Sequence, residues 1–220
     1  MSQEQLVSIV IVVAIMLLVG FPVHEFAHAW AAYRLGDGTA KMFGRLTLNP
    51  IAHFDPIGGV LLGVSFLISQ GSFAFGWAKP TPVNPMNLAG GRRGEAMVAA
   101  AGPLSNLLLA TIGAIPLRFL VINPDLISSV PEMLILVLDL FVRINIILMI
   151  FNLIPIPPLD GSKLLFAALD RQTEYRIRPV LEQYGFLIVI ALFFFPPGNS
   201  IGGRILVPII NGIYGFLVGL

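Results

Sequence analysis

From about residue 5 to residue 33 the chain is almost continuously apolar, and near the end of that run stands Phe21-Pro22-Val23-His24-Glu25-Phe26-Ala27-His28-Ala29-Trp30. A stretch of this length forms a helix that crosses a bilayer with a turn or two to spare, because roughly 20 apolar residues at ~1.5 Å each span the hydrocarbon. His24 and His28 are four residues apart, so on a helix they stack on one face and both imidazoles reach one metal ion. Glu25 lies one residue round from His24, better placed to handle a proton of water than to ligate. The plain alternative is two helical histidines packed in a bundle. Three polar groups on one turn in lipid nevertheless need a reason.

The rest of the chain supports a membrane setting. It is 56% hydrophobic and only 11% charged, with a mean hydropathy of +0.88, where a soluble domain is nearer a quarter charged. The 220 residues predict an all-α polytopic membrane protein of about six transmembrane segments. We expect a single membrane-embedded domain over 1–220, with its core in 5–170 and accessory segments in 180–220. Cysteine is absent, so any metal is held by His, Asp or Glu. A net charge of +1, with no basic cluster and interleaved aromatics, gives no footprint for nucleic acid. The start of the chain lacks the positive charge of a signal peptide, so the first apolar run reads as a retained helix.

Residues 39–56 alternate and break repeatedly, at Lys41, Phe43, Arg45, Thr47, Asn49-Pro50 and Asp55-Pro56, which predicts a β-hairpin or extended segment at the membrane surface. Residues 57–77 are apolar and glycine-rich. The prolines of Gly76-Trp77-Ala78-Lys79-Pro80-Thr81-Pro82-Val83-Asn84-Pro85 make that stretch extended. Helices are expected from about Gly94 to Leu120, with small residues that let helices approach closely, and from Pro131 to about Leu153. Within the latter, Asp139 and Arg143 are four apart and expected to pair. Three prolines in Asn152-Leu153-Ile154-Pro155-Ile156-Pro157-Pro158-Leu159-Asp160-Gly161 break the helix at membrane depth, which is tolerated only beside protein or a water-filled cavity. Residues 162–178 read as a polar, basic connection, followed by apolar segments 180–195 and 204–220.

Ten of the thirteen basic residues fall in three connections: Arg34, Lys41, Arg45; Lys79, Arg92, Arg93; and Lys163, Arg171, Arg176, Arg178. Arg118 and Arg204 are expected to flank membrane segments on the other side. The positive-inside rule then puts the three connections in the cytoplasm and the N-terminus outside. Parity requires that 57–77 dip in and return, or form a helix plus a re-entrant strand turning near Gly71.

A hydrolytic zinc site usually has three protein ligands and one open position. Candidates for the third are His53 and Asp55 in the extended segment and Asp160 in the broken helix end. Asp160 is best placed, on the same membrane face as the histidines by parity. Its plain alternative is an Asp-Gly turn at a helix end.

Taken together, His24-Glu25-x-x-His28, Gly102-Pro103-Leu104-Ser105-Asn106 and Asn152-x-x-Pro155-x-Pro157-Pro158-Leu159-Asp160-Gly161 resemble the motif set of the site-2 protease family, the intramembrane zinc metalloproteases. The resemblance covers about residues 5–170 and is to the compact form, without PDZ or CBS modules. It implies one Zn2+ per chain held by His24, His28 and Asp160, and Glu25 as general base. It implies an endopeptidase that cleaves transmembrane segments of other membrane proteins within the lipid bilayer, in regulated intramembrane proteolysis. The setting is a bacterial or archaeal cell membrane, with the active site toward the cytoplasm. Asn152 is a candidate donor to the substrate oxyanion. Asn106 is a weaker one, better read as a hydrogen bond between helices. His53, Trp77 and Pro80 are candidates for a gate or regulatory contact, and His53 also reads as a surface or supporting histidine. An extended segment, 39–56 or 71–85, could pair with an unwound substrate. Two rivals remain. One is a membrane peptidase whose third ligand is a glutamate, among Glu95, Glu132, Glu174 and Glu182. The other is a metal transporter or binding protein using the histidines as an ion path.

Overall fold

A computed structural model of the chain describes residues 3–68, 76–196 and 200–220. The first apolar run is one continuous helical rod in three parts: α1 (Gln3–Ile15), a π-helical turn (Met16–Gly20) and α2 (Phe21–Arg34). Pro22 has no N–H to give and its ring crowds the preceding turn. The helix loosens there, and the Phe21 amide bonds Met16 O, five residues back. The wider turn that accommodates Pro22 thus stands just before the histidines. Gly20 lets this turn meet α7 (Glu132–Asn152), since a Cβ there would lie 2.8 Å from Leu148 Cδ1.

Four helices are long and apolar enough to cross a membrane: Leu6–Arg34, Arg92–Ile122, Glu132–Asn152 and Ile201–Val218. Among the described residues these are four, against the expected six or so. The apolar stretch after residue 56 forms α5 (Pro56–Ile68), ~20 Å long and short of the ~30 Å hydrocarbon thickness. The turn expected near Gly71 lies outside the described residues.

No strand occurs among the described residues, so the β-hairpin over 39–56 is also corrected. That segment forms two short helices, α3 (Thr39–Met42) and α4 (Pro50–His53). Local capping overrides the alternating pattern. Asp37 Oδ1 accepts from the Thr39 amide and hydroxyl. Asn49 Oδ1 accepts from the Ile51 amide, with Pro50 in the first turn.

The second core helix, α6 (Arg92–Ile122), packs along α2 on one side and α7 on the other. Gly113 brings α6 and α7 together, where a Cβ would meet Phe141 Cδ1 at 2.7 Å. Below it Ala110, Ala114, Leu117, Val142, Ile146 and Met149 form the apolar core, closed by Tyr214 and Val218 of α10 (Ile201–Val218). Asp139 and Arg143 pair as expected, with Arg143 Nε 2.9 Å from Asp139 Oδ2. The Tyr214 hydroxyl donates to the same carboxylate at 2.5 Å.

Arg118 donates to Phe216 O at 3.2 Å, so α6 and α10 end together and run parallel. Arg204, near the start of α10, therefore lies toward the end where α6 begins and not, as its position suggested, with Arg118. The expected polar connection 162–178 is helical instead. It comprises α8 (Gly161–Ala168) and the start of α9 (Arg171–Phe194), capped by Asp170. The contacts of α9 stay at that same end of the bundle. Arg178 of α9 pairs with Glu95 of α6, a Cβ on Gly185 would meet Pro157 O, and Phe193 stacks on Phe151.

Candidate metal centre

α2 presents His24 and His28 on its buried face, toward α6. Asp160 arrives from the other direction. The prolines after Asn152 end α7, and the chain folds back so tightly that a Cβ on Gly161 would lie 2.2 Å from Leu153 O. Asp160 thereby stands at the start of α8 with its side chain free of any capping bond and turned to the histidines. Its Oδ2 is 3.1 Å from His24 Nε2 and 3.0 Å from His28 Nε2, and the two Nε2 atoms are 3.0 Å apart. All three side chains are buried.

The ring orientations fit a cation. His28 Nδ1 is 2.7 Å from Val98 O, and a carbonyl only accepts, so Nδ1 carries a proton and Nε2 is the nitrogen turned inward. Two Nε2 atoms and a carboxylate oxygen meeting in a buried pocket are held together by a proton or a metal ion between them. The donor set, two imidazoles and one carboxylate, suits zinc with a position left open. Lys163 Nζ approaches the outer oxygen of Asp160 at 3.6 Å. On the other flank His24 Nδ1 is 2.6 Å from Asn106 Oδ1. Asn106 Nδ2 is directed at Asn145 Oδ1.

Glu25 sits beside the set and has a partner that the sequence did not suggest. The Thr81 amide donates to Glu25 Oε2 at 2.7 Å, and the Thr81 hydroxyl donates to Glu25 O at 3.0 Å. The proline-rich stretch is extended, as its prolines require, and lies over Glu25. Arg45 holds it there, donating to Ala52 O, Lys79 O and Pro80 O. The Lys79 amide donates to His53 O at 2.9 Å. Asp37 anchors the far end, accepting from the Asn84 amide at 2.7 Å and from Asn87 Nδ2 at 3.1 Å. Burial alone would raise the Asp37 carboxyl, but the bonds from Thr39, Asn84 and Asn87 outweigh it and hold the group below its ordinary range.

The other candidates are placed as follows. Asn152 donates to Leu148 O of its own helix at 2.9 Å. His53 is buried, not at the surface, with Nε2 2.7 Å from Thr47 O. Trp77 packs where a Cβ on Gly58 would strike its carbonyl. Pro80 touches Arg45. Asp55 Oδ1 accepts from the Gly58 amide at the start of α5. Glu95, Glu174 and Glu182 are engaged with Arg178, and Arg92 also pairs with Glu174. Among the described residues, His24, His28 and Asp160 form the one group of His, Asp and Glu side chains that converges in this way. Thr81, Arg45, Asp37 and Asn145 are the contributors that sequence reasoning missed. The Asn84-Pro85 and Asp37-Gly38 pairs were a signal of fixed turns, but not of what they would meet.

A bundle of membrane-crossing helices with two imidazoles and a carboxylate converging beside a second carboxylate defines a membrane metallohydrolase. Comparison with known proteins agrees. Residues 120–195 match the family model described as peptidase family M50. The chain is 37% identical over 198 residues to "Putative zinc metalloprotease YwhC" of Bacillus subtilis, covering 90% of this chain and 84% of that one. It is 30% identical over 194 residues to the similarly named Rip2 of Mycolicibacterium smegmatis, covering 88% and 70%. Rip2 of Mycobacterium tuberculosis is 32% identical over 185 residues, covering 83% and 66%. No solved structure matches the chain with comparable significance. The chain belongs to peptidase family M50, the site-2 protease group, and is an integral membrane zinc metalloprotease.

Proposed function

We propose that this protein cleaves transmembrane segments of other membrane proteins, with His24, His28 and Asp160 holding zinc and Glu25 acting as general base. The observation that carries the reading is the meeting of three ligand atoms within 3.1 Å of one another at the buried end of membrane-crossing helices. Zinc bound there supplies a Lewis acid that makes water nucleophilic near neutral pH and polarises a carbonyl. Glu25 takes a proton from the attacking water and delivers it to the leaving amine. The Thr81 amide holds its Oε2 and orients the carboxylate, whose other oxygen can take the proton. Asn152, on the last turn of α7, is the donor proposed for the oxyanion once it leaves Leu148 O.

A substrate helix hides its carbonyls in its own hydrogen bonds and must unwind to be cut. The extended stretch 76–85 offers a backbone with which an unwound segment can pair. His53, Trp77 and Pro80, together with Arg45, form the gate that holds or frees it. The positive-inside rule sets the site toward the cytoplasm of a bacterial or archaeal cell, with the N-terminus outside and the region of α5 re-entrant. The test is reconstitution of the full chain in liposomes with single-span helical proteins. Cleavage by the wild type and none by Glu25→Gln, which keeps its zinc, supports the proposal. Cleavage confined to soluble, unstructured peptides refutes it.

A further inference from the structure

Two asparagines lie fully buried between α6 and α7, and only one of them touches the centre. Asn106 Oδ1 is 2.6 Å from His24 Nδ1, and Asn106 Nδ2 is 3.0 Å from Asn145 Oδ1. Asn145 Nδ2 in turn donates to Phe141 O at 2.9 Å. Both are 0% exposed.

The direction of this chain is set by its far end. An amide side chain has one accepting and one donating side. Phe141 O is a backbone carbonyl and only accepts, so Asn145 must present its NH2 to it and its oxygen to Asn106. Asn106 must then answer with its NH2, which leaves its oxygen for His24. That oxygen only accepts, so His24 Nδ1 carries a proton and Nε2 is the nitrogen left to ligate. Gly20 O, in the π-helical turn, lies 3.4 Å from the same Asn106 NH2 and reinforces the choice. Reversing any link would put two donors or two acceptors face to face in a buried site, where an unsatisfied group costs about 1–3 kcal/mol.

We infer that Asn145 is a positioning residue for zinc: through Asn106 it fixes the tautomer and ring orientation of His24. The inference rests on the reading of His24 as a ligand. It makes Asn145 a functional residue without contact to metal, water or substrate. Hydrogen bonds to the non-ligating nitrogen of a metal histidine commonly change affinity by ~10- to 100-fold.

The test uses the purified full-length chain in detergent. Asn145→Leu should weaken zinc binding, measured by chelator competition, by ~10- to 100-fold. In the metal-free protein, at a pH high enough for the ring to be neutral, the ring 15N resonances of His24 should change from one tautomer to a mixture. The decisive comparison is in an Asn106→Asp background. A carboxylate presents an oxygen to His24 whichever way it turns, so Asn145→Leu should then cost no more than about twofold, a departure from additivity that marks coupling through Asn106. Should Asn145→Leu not fold, Asn145→Ser, whose hydroxyl bonds its own helix, is read in the same way. An unchanged zinc affinity and an unchanged His24 tautomer in the single variant would overturn the inference alone. So would an equal loss in both backgrounds, the mark of a purely structural role. A wild-type chain that binds no zinc would sink the functional reading and this inference with it.

Discussion

Gly102→Ala subjects the centre to the smallest possible intrusion. α6 crosses α2 at Gly102, and a Cβ there would lie 2.4 Å from His28 Nε2 and 2.6 Å from both Nε2 and Cε1 of His24. Ordinary contacts of a Cβ begin near 3.4 Å, so something must yield by about 1 Å, several times the ~0.2 Å tolerance of metal–ligand distances. The rings are poorly placed to yield. His28 Nδ1 is tied to Val98 O and His24 Nδ1 to Asn106 Oδ1. The displacement therefore falls on the α2–α6 spacing or on the ligand atoms themselves. Misplacement by ~1 Å costs on the order of 100-fold in rate, and overpacking costs ~1–3 kcal/mol of stability. Zinc affinity and liposome proteolysis should both collapse, while circular dichroism and gel filtration report a folded protein. A Gly102→Ala chain with wild-type zinc affinity and turnover would refute the packing argument.

Glu25→Gln should retain zinc and lose ~10²- to 10⁴-fold in peptide hydrolysis, checked by metal analysis beside a fluorogenic assay; loss of zinc along with activity would make Glu25 structural. Arg45→Met removes the donors to Ala52 O, Lys79 O and Pro80 O. Amide exchange at Lys79 and Thr81 should quicken, and cleavage of an intact membrane helix should fall more than that of an unfolded peptide; equal effects on both substrates would count against a gating segment. His53 gives a pH dependence. Burial lowers its pKa most, the Thr47 carbonyl opposes this, and the Arg45 charge lowers it further. The neutral ring is thus favoured in the folded loop. That contribution is full above the ordinary value of ~6.5 and is lost as pH falls below it. Exchange at the Lys79 amide, corrected for its intrinsic rate, should quicken between pH 7 and pH 5.5 in the wild type and not in His53→Gln. The same profile in both would remove His53 from the account.

Much of the centre was legible because its chemistry is compressed into short motifs. The His24–His28 spacing places two imidazoles on one helix face whatever the rest of the chain does. Leu159-Asp160-Gly161 marks a fixed turn after a proline-broken helix. The membrane setting followed from composition, and α6 and α7 from long apolar runs between Gly and Pro boundaries. What was not legible depends on groups distant in sequence. The alternation at 39–56 suggested strands, but a strand needs a partner, and capping by Asp37 and Asn49 decided in favour of helical turns. The second half of α9 is apolar enough to suggest a crossing, yet its contacts with Pro157 and Phe151 keep it at one end of the bundle. Thr81 could not have been linked to Glu25, since nothing local to either residue encodes a contact across 56 positions.

The central claim is that two imidazoles of α2 and the carboxylate after α7 share one zinc ion with an exchangeable position. X-ray absorption at the zinc edge on the purified, membrane-reconstituted protein tests it directly. The account predicts two nitrogen scatterers at ~2.0–2.1 Å and carboxylate oxygen at ~2.0–2.2 Å, with the imidazole signal reduced in His28→Ala and the zinc lost in Asp160→Ala. A zinc environment unchanged by Asp160→Ala would contradict it.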